Sequence, residues 1–118
     1  MASHNKLGVE GEKMAEQWLK TKGYDILHRN WRYSYYEIDI IAMKNNVLCF
    51  VEVKARKSSS FGFPEESVTR KKFKRLQRAA DEYLYRHPGH KWIQFHIFAI
   101  TLYPDREPEY FLLEDVFL

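Results

Sequence analysis

Two stretches rich in Ile, Val, Tyr and Phe, Tyr36 to Met43 and Val47 to Ala55, stand on either side of Asn45-Asn46. That composition favours strands, and Asn tolerates the positive φ of a tight hairpin turn, so the spacing predicts an antiparallel hairpin with the two Asn at its tip. Pairing Lys44 with Val47 then fixes every other pair. Asp39 is expected opposite Glu52, and Glu37 opposite Lys54. Since successive side chains point to opposite faces, Tyr36, Ile38, Ile40, Ala42, Cys49, Val51, Val53 and Ala55 form one apolar row that needs a core against it. The other row carries Glu37, Asp39, Glu52, Lys54 and Arg56 at the open end, with Ile41, Met43, Leu48 and Phe50 near the turn. A slip of one residue would set the apolar row against the charged one, so parity supports this register.

Directly opposed carboxylates repel, because cross-strand Cβ atoms sit roughly 4.5–5.5 Å apart. A hard divalent cation with oxygen ligands offsets that repulsion, and Lys54 beside the pair adds a further positive charge. The plainer alternative is a solvated hairpin face on which Glu37 and Lys54 form a minor ion pair.

The remaining chain reads as one domain spanning residues 1–118, with a core over about 8–103 and a C-terminal strand or extension over 104–118. Its length suffices for a core without disulfide or metal staples. Gly11 to Lys22 has Met14, Ala15, Trp18 and Leu19 at helical spacing and Gly23 as a stop signal. Tyr24 to Trp31 reads as a short strand and Lys57 to Pro64 as a loop, of which Ser58 to Phe63 could clamp a substrate. Glu65 to Arg86 reads as a longer helix with an apolar stripe of Phe73, Leu76, Ala80, Tyr83 and Leu84. His87-Pro88-Gly89 ends it. Trp92 to Tyr103 alternates before becoming wholly apolar, as a strand entering a covered sheet does, and Tyr110 to Leu113 reads as an edge strand. The expected fold is α/β, an α-β-β-β-α-β core with a mixed sheet between helices. No apolar leader or membrane-length run is present, so a cytoplasmic location without membrane contact is expected. The single Cys49 falls on the apolar row and is expected to be a buried small hydrophobe.

Net charge is only +3, but it is unevenly spread. Residues 52–78 hold nine Lys or Arg against three Glu, whereas residues 79–118 hold three basic against seven acidic side chains. The positive charge therefore lies beside the carboxylate pair, where a phosphate backbone is the partner it would attract. Lys71, Lys74, Arg75 and Arg78 recur at i, i+3, i+4 and i+7, which suits phosphate contacts or a merely solvated helix face. Trp31, Arg32, Tyr33 and Tyr35 interleave aromatic and basic groups, as in base-stacking surfaces or a half-buried strand. His87 and His90 flank a turn without further ligands, which argues against a transition-metal site. The ending Phe111-Leu112-Leu113 and Val116-Phe117-Leu118 suits a homodimer contact or completion of the core.

Gly8-x-x-Gly11-Glu12-x-x-Ala15, Gly23-Tyr24, Asn30-x-Arg32, Glu37-Ile38-Asp39-Ile40-Ile41-Ala42, Phe50-Val51-Glu52-Val53-Lys54-x-Arg56 and Phe61-Gly62 together resemble the uncharacterised bacterial YraN-like family. That family is similar to archaeal Holliday-junction resolvases within the PD-(D/E)xK nuclease superfamily, and the likeness covers roughly residues 8–85. It implies a restriction-endonuclease-like fold and a metal-dependent endonuclease acting on nucleic acid, with branched or single-stranded DNA in repair or recombination favoured over RNA. The alternative is a nucleic-acid-binding module that keeps the fold without cutting. Carried onto this chain, it implies Glu12, Asp39, Glu52 and Lys54 as the catalytic set. Asp39, Glu52 and the Val53 carbonyl would hold Mg²⁺ or Mn²⁺, with Glu12 approaching from the first helix as a third carboxylate or a water-mediated ligand. Lys54 would orient the attacking water or stabilise developing charge, and an ammonium among carboxylates suits the second role. Glu37 and Arg56 are expected to support these groups. Nucleic-acid contacts are expected from Arg56, Lys71, Lys74, Arg75, Arg78, Arg32, Trp31 and Tyr35. The chain departs from the superfamily pattern at Ile38, which replaces its eponymous proline. It departs again at Asp81, four residues after Gln77, where some exonuclease branches carry Tyr.

Overall fold

A computed structural model describes residues 6–59 and 69–117. Its elements are α1 (Lys6–Thr21), β1 (Asp25–Tyr33), β2 (Tyr36–Lys44), β3 (Val47–Lys57), α2 (Arg70–Arg86), β4 (Trp92–Leu102) and β5 (Glu109–Leu113). The strands form one sheet in chain order, antiparallel throughout except that β4 runs parallel to β3. A parallel neighbour cannot be reached by a hairpin, and the stretch containing α2 supplies the crossover. The α/β class, the element order and the mixed sheet agree with the sequence reading. No helix among the described residues is long and apolar enough to cross a membrane.

Each face of the sheet is covered by one helix. Ala15 and Leu19 of α1 pack with Ile40, Ala42, Cys49, Val51, Phe98 and Ile100. On the opposite face Phe73, Leu76, Ala79, Ala80 and Tyr83 of α2 pack with Ile38, Ile41, Leu48, Phe50 and Ile97. Cys49 is buried as expected, and burial pushes its thiol up to about 11, so it stays protonated at neutral pH. The C-terminal apolar residues divide in the same way. Leu112, Leu113 and Val116 complete the two cores, whereas Phe111 and Phe117 are exposed, and residue 118 lies outside the described range.

Three boundaries move from their expected places. Helix α1 begins at Lys6 rather than Gly11, and Gly11 becomes a contact point: a Cβ there would sit 2.7 Å from the Ala55 Cβ. Only glycine lets the helix lie this close to β3. Helix α2 begins at Arg70, because the Thr69 hydroxyl accepts from the Lys72 N–H as an N-cap; residues 65–68 lie outside the described range. Strand β3 runs to Lys57, and the part of the expected clamp loop from residue 60 to 63 also lies outside that range.

The hairpin register is the expected one over Lys44↔Val47, Met43↔Leu48, Ala42↔Cys49, Ile41↔Phe50 and Ile40↔Val51. Asn45 and Asn46 both take positive φ, 52° and 65°. The ladder then stops. Below Ile40, β2 pairs only with β1, while β3 continues alongside β4 alone. The alternation along β2 also changes phase here, so Ile38 and Tyr36 pack beneath α2 rather than sharing a face with Ile40 and Ala42 as expected. The pairs Arg29↔Ile40 and Trp31↔Ile38 bracket Asn30, whose φ of 54° rotates the backbone of β1 opposite Asp39. The sheet is forked at Asp39.

Candidate metal and phosphate site

Past Val51, the edge of β3 that faced β2 has lost its backbone partner. Asp39 replaces it: the Val53 N–H donates to Asp39 Oδ2 at 2.8 Å. Asp39 and Glu52 are therefore not a ladder pair, as expected from sequence, but a carboxylate capping the strand that carries its neighbour. They still meet. The two carboxyls are in hydrogen-bonding contact, and the Glu52 carboxyl is pushed up to about 8, first by burial and then by the Asp39 charge, against the pull of Lys54 and Lys72. Such a pair holds a proton between its oxygens.

In an extended strand a residue's N–H and C=O point to the same side, so the Val53 carbonyl faces Asp39 as its N–H does. Two carboxylates and a backbone carbonyl then converge at the fork. Such a set of hard oxygen donors suits Mg²⁺ or Mn²⁺, with water completing the coordination. Glu12 is buried on α1, the helix that covers the Val51 face, whereas Glu52 and Lys54 issue from the face beneath α2. Among the described residues no three His, Cys, Asp or Glu side chains come together closely enough to hold a metal ion.

Lys54, two residues after Glu52 and on the same face, places its Nζ 3.7 Å from Glu52 Oε2, with both side chains about a quarter exposed. Arg56 continues the row, half-buried, next to Thr101 of β4. Glu37 is not the cross-strand partner of Lys54: its Oε1 lies 3.0 Å from Arg32 Nε, a pair set by the β1–β2 register. The fork carries β2 away from β3 before Glu37 is reached.

Lys72, which the sequence reading left out of the site, enters it from the first turn of α2. Its charge is within electrostatic reach of Lys54 and Glu52, and the Lys54 charge is the largest influence lowering its pKa. A signal for it exists in the sequence. Arg70, Lys71 and Lys72 place three cations in a helix's first turn, where the helix dipole disfavours them.

The expected nucleic-acid contacts divide. Lys71, Lys74, Arg75 and Arg78 are all exposed on α2. Tyr35 is 97% exposed at the β1–β2 turn and is free to stack. Trp31 is not, since it packs edge-on against Tyr83 at 5.4 Å in the core beneath α2. Arg32 is engaged by Glu37, and Tyr33 lies under the Arg86 guanidinium at 3.5 Å. His87 stacks on Tyr83 at 4.1 Å, which gives it a packing role.

Residues 11–100 match the model of "Uncharacterised protein family UPF0102". The chain is 44% identical over 108 residues to a UPF0102 protein of Phocaeicola vulgatus, covering 92% of this chain and 88% of that one. A UPF0102 protein of Cytophaga hutchinsonii is 44% identical over 98 residues, 83% and 87% of the two chains. One from Bacteroides thetaiotaomicron is 51% identical over 84 residues, 71% and 69%.

Proposed function

The chain belongs to the uncharacterised protein family UPF0102, and we propose that it is a metal-dependent nuclease that hydrolyses phosphodiester bonds in DNA. One observation carries the reading. Asp39 and Glu52 bring their carboxyls into contact where the hairpin ladder ends. Structural carboxylates gain nothing from such contact, because each raises the cost of charging the other.

Asp39, Glu52 and the Val53 carbonyl would hold Mg²⁺ or Mn²⁺. Bound there, the cation supplies a more acidic water and polarises a phosphoryl oxygen. Asp39 has a second task, since its Oδ2 keeps the Val53 N–H satisfied and so holds the open edge of β3 in place. Lys54 offers three N–H donors and a fixed positive charge, which stabilise negative charge developing on the phosphoryl oxygens. Its 3.7 Å contact with Glu52 keeps that charge at the fork. The exposed row Lys71, Lys74, Arg75 and Arg78 supports binding of a phosphate backbone without sequence preference. Tyr35 at the tip of the β1–β2 turn favours unpaired bases, which supports branched or single-stranded substrates.

Calorimetry with Mn²⁺ and cleavage of branched, flapped, nicked and single-stranded DNA test the proposal together. Asp39→Asn keeps an oxygen acceptor for the Val53 N–H, so it should fold normally. It should weaken Mn²⁺ binding by at least about a hundredfold and abolish cleavage, because losing a direct ligand costs no less than losing a group that orients one. Equal Mn²⁺ affinity in both proteins would end the scheme. Wild-type protein that binds Mn²⁺ and DNA yet cuts none of the four substrates would identify a binding module instead.

A further inference from the structure

We propose that the outer edge of β5 is a docking site for an extended segment of a partner protein, one with apolar side chains at alternate positions and Lys or Arg at its ends. The proposal is independent of the metal site, since β4 stands between β5 and the strand that carries Glu52. A sheet edge presents a row of unpaired N–H and C=O groups, and proteins guard such rows against stray pairing. The two edges of this sheet are treated differently. β1 is guarded: its register shifts between Ile26 and His28, Asn30 takes positive φ, and Arg29 and Arg32 place exposed charge along it. β5 has none of these devices. Its pairs with β4, from Thr101↔Glu109 to Ile97↔Leu113, run without a shift, and Tyr110 to Leu113 contains no charge and no proline. Tyr110 and Phe111 are 39% and 49% exposed. Beyond Leu113 the chain stays beside β4, where the Val116 N–H donates to the Phe95 carbonyl at 2.8 Å, so this stretch does not fold back over the edge. Among the described residues no strand pairs with the outer side of β5.

A groove of about 320 Å³ lies alongside, lined by Lys13, Met14, Gln17, Trp18 and Thr21 of α1 and by Tyr110 of β5. Tyr110 is fixed there by stacking on Phe98 at 5.8 Å, with the Trp18 ring 6.4 Å away. Strand addition uses this combination: backbone hydrogen bonds hold the segment, and a pocket beside the strand selects every second side chain. The groove takes the apolar side chains that an added strand directs to the α1 face. Charge decides the occupant. The exposed acids Asp105, Glu107, Glu109, Glu114 and Asp115 frame β5, and Arg106, the one base between Tyr103 and Phe117, lies over the Tyr103 ring at 3.8 Å. A second copy pairing edge to edge would set the same acids against themselves, whereas a segment ending in Lys or Arg is attracted at both ends.

A displayed library of random decapeptides panned against the whole protein should enrich Val, Ile, Tyr or Trp at every second position and Lys or Arg near the ends. The enriched peptide, once synthesised, should slow hydrogen exchange at the amides of β5 and leave those of β1 unchanged. A version with Glu in place of its Lys and Arg should bind roughly tenfold more weakly, the combined effect of several exposed charge contacts. Asp105 and Glu107 are exposed in the turn before β5, so the double variant Asp105→Lys, Glu107→Lys should melt as wild type does. It should also reverse the preference between the two peptides, which an apolar patch alone would not do. No enrichment above background, enriched sequences without the alternation or the basic ends, exchange slowed at β1 instead of β5, or a preference unmoved by the charge reversal each overturns the proposal. So does a wild-type dimer in sedimentation whose β5 amides are already protected, because the edge then belongs to a second copy.

Discussion

From Ile40 to Lys44 every residue of β2 has a partner on β3, the side chains up to Met43 are apolar and largely buried on both faces, and two Asn close the turn. From Asp39 back to Tyr36 the same strand has left β3, and the side chains near the gap are Asp39, Glu52 and Lys54, with Lys72 arriving from α2. The two halves have nearly the same backbone and opposite purposes. The closed half minimises free energy with paired backbone and matched apolar rows. The forked half brings two carboxyls into contact, a repulsion that a shared proton relieves or, on the proposed reading, a bound cation. On the proposed reading stability and binding are separated along a single hairpin, and mutations should separate in the same way.

The largest effect on stability is expected in the closed half. Phe50 is wholly buried and stacks on Phe95 at 5.7 Å and edge-on to Tyr83 at 5.8 Å. Phe50→Ala should lose about 3–5 kcal/mol of unfolding free energy in urea titration. The fraction that remains folded should bind Mn²⁺ as wild type does; a large loss of affinity would mean that the halves are not separable. Next comes Gly11, where α1 touches the forked half from behind. Gly11→Ala puts a methyl 2.7 Å from the Ala55 Cβ, backbone-borne on both sides, so helix and strand must part. A loss of about 1–3 kcal/mol is expected from such overpacking. Because Ala55 follows Lys54, Mn²⁺ affinity should fall as well, which Phe50→Ala should not cause.

How much of this was legible differs between the halves for a physical reason. In the closed half, turn chemistry and parity both constrain the register, and they agree at each of the five pairs from Ile40 to Lys44. At the fork the parity signal is silent, because Ile38, Ile40 and Ile41 are equally apolar in either phase. Only Asn30, far off in sequence, supplies the positive φ that accompanies the change. Pairing rules extended past that point therefore gave Glu37 the wrong partner, although they still brought Asp39 to Glu52. Lys72 was missed because it falls outside the stripe of Lys71, Lys74, Arg75 and Arg78, and its role depends on where α2 begins.

The smallest effect, and the sharpest contrast, is in pH dependence. His96 is buried; its Nδ1 accepts from the Asp115 N–H at 3.1 Å, and among the described residues its Nε2 has no hydrogen-bond partner. Burial holds its pKa below the ordinary 6.5, opposed by the Phe95 backbone and by the charges of Glu114 and Asp115. With a lowered pKa the unfolded chain takes up the proton first, so His96 lends stability above pH 6.5 that drains away as pH falls. Glu52 has the opposite sign. Its pKa is raised from 4.5 to about 8, so the folded state takes up the proton first, and this contribution is present in acid and lost as pH climbs through that interval. Each group can contribute a slope of at most about 1.4 kcal/mol per pH unit. Urea titrations from pH 5 to 8.5 should show the two slopes partly cancelling in wild type. In Glu52→Gln the amide still reaches Asp39 and titrates nothing, so stability should rise steadily with pH and exceed wild type at pH 8. Saturating Mn²⁺ should reverse the wild-type loss at high pH, because the cation binds the deprotonated pair, and should leave Glu52→Gln unmoved. If wild type and Glu52→Gln follow the same curve, the carboxylates at the fork do not hold a proton between them, and the contrast between the two halves of the hairpin disappears.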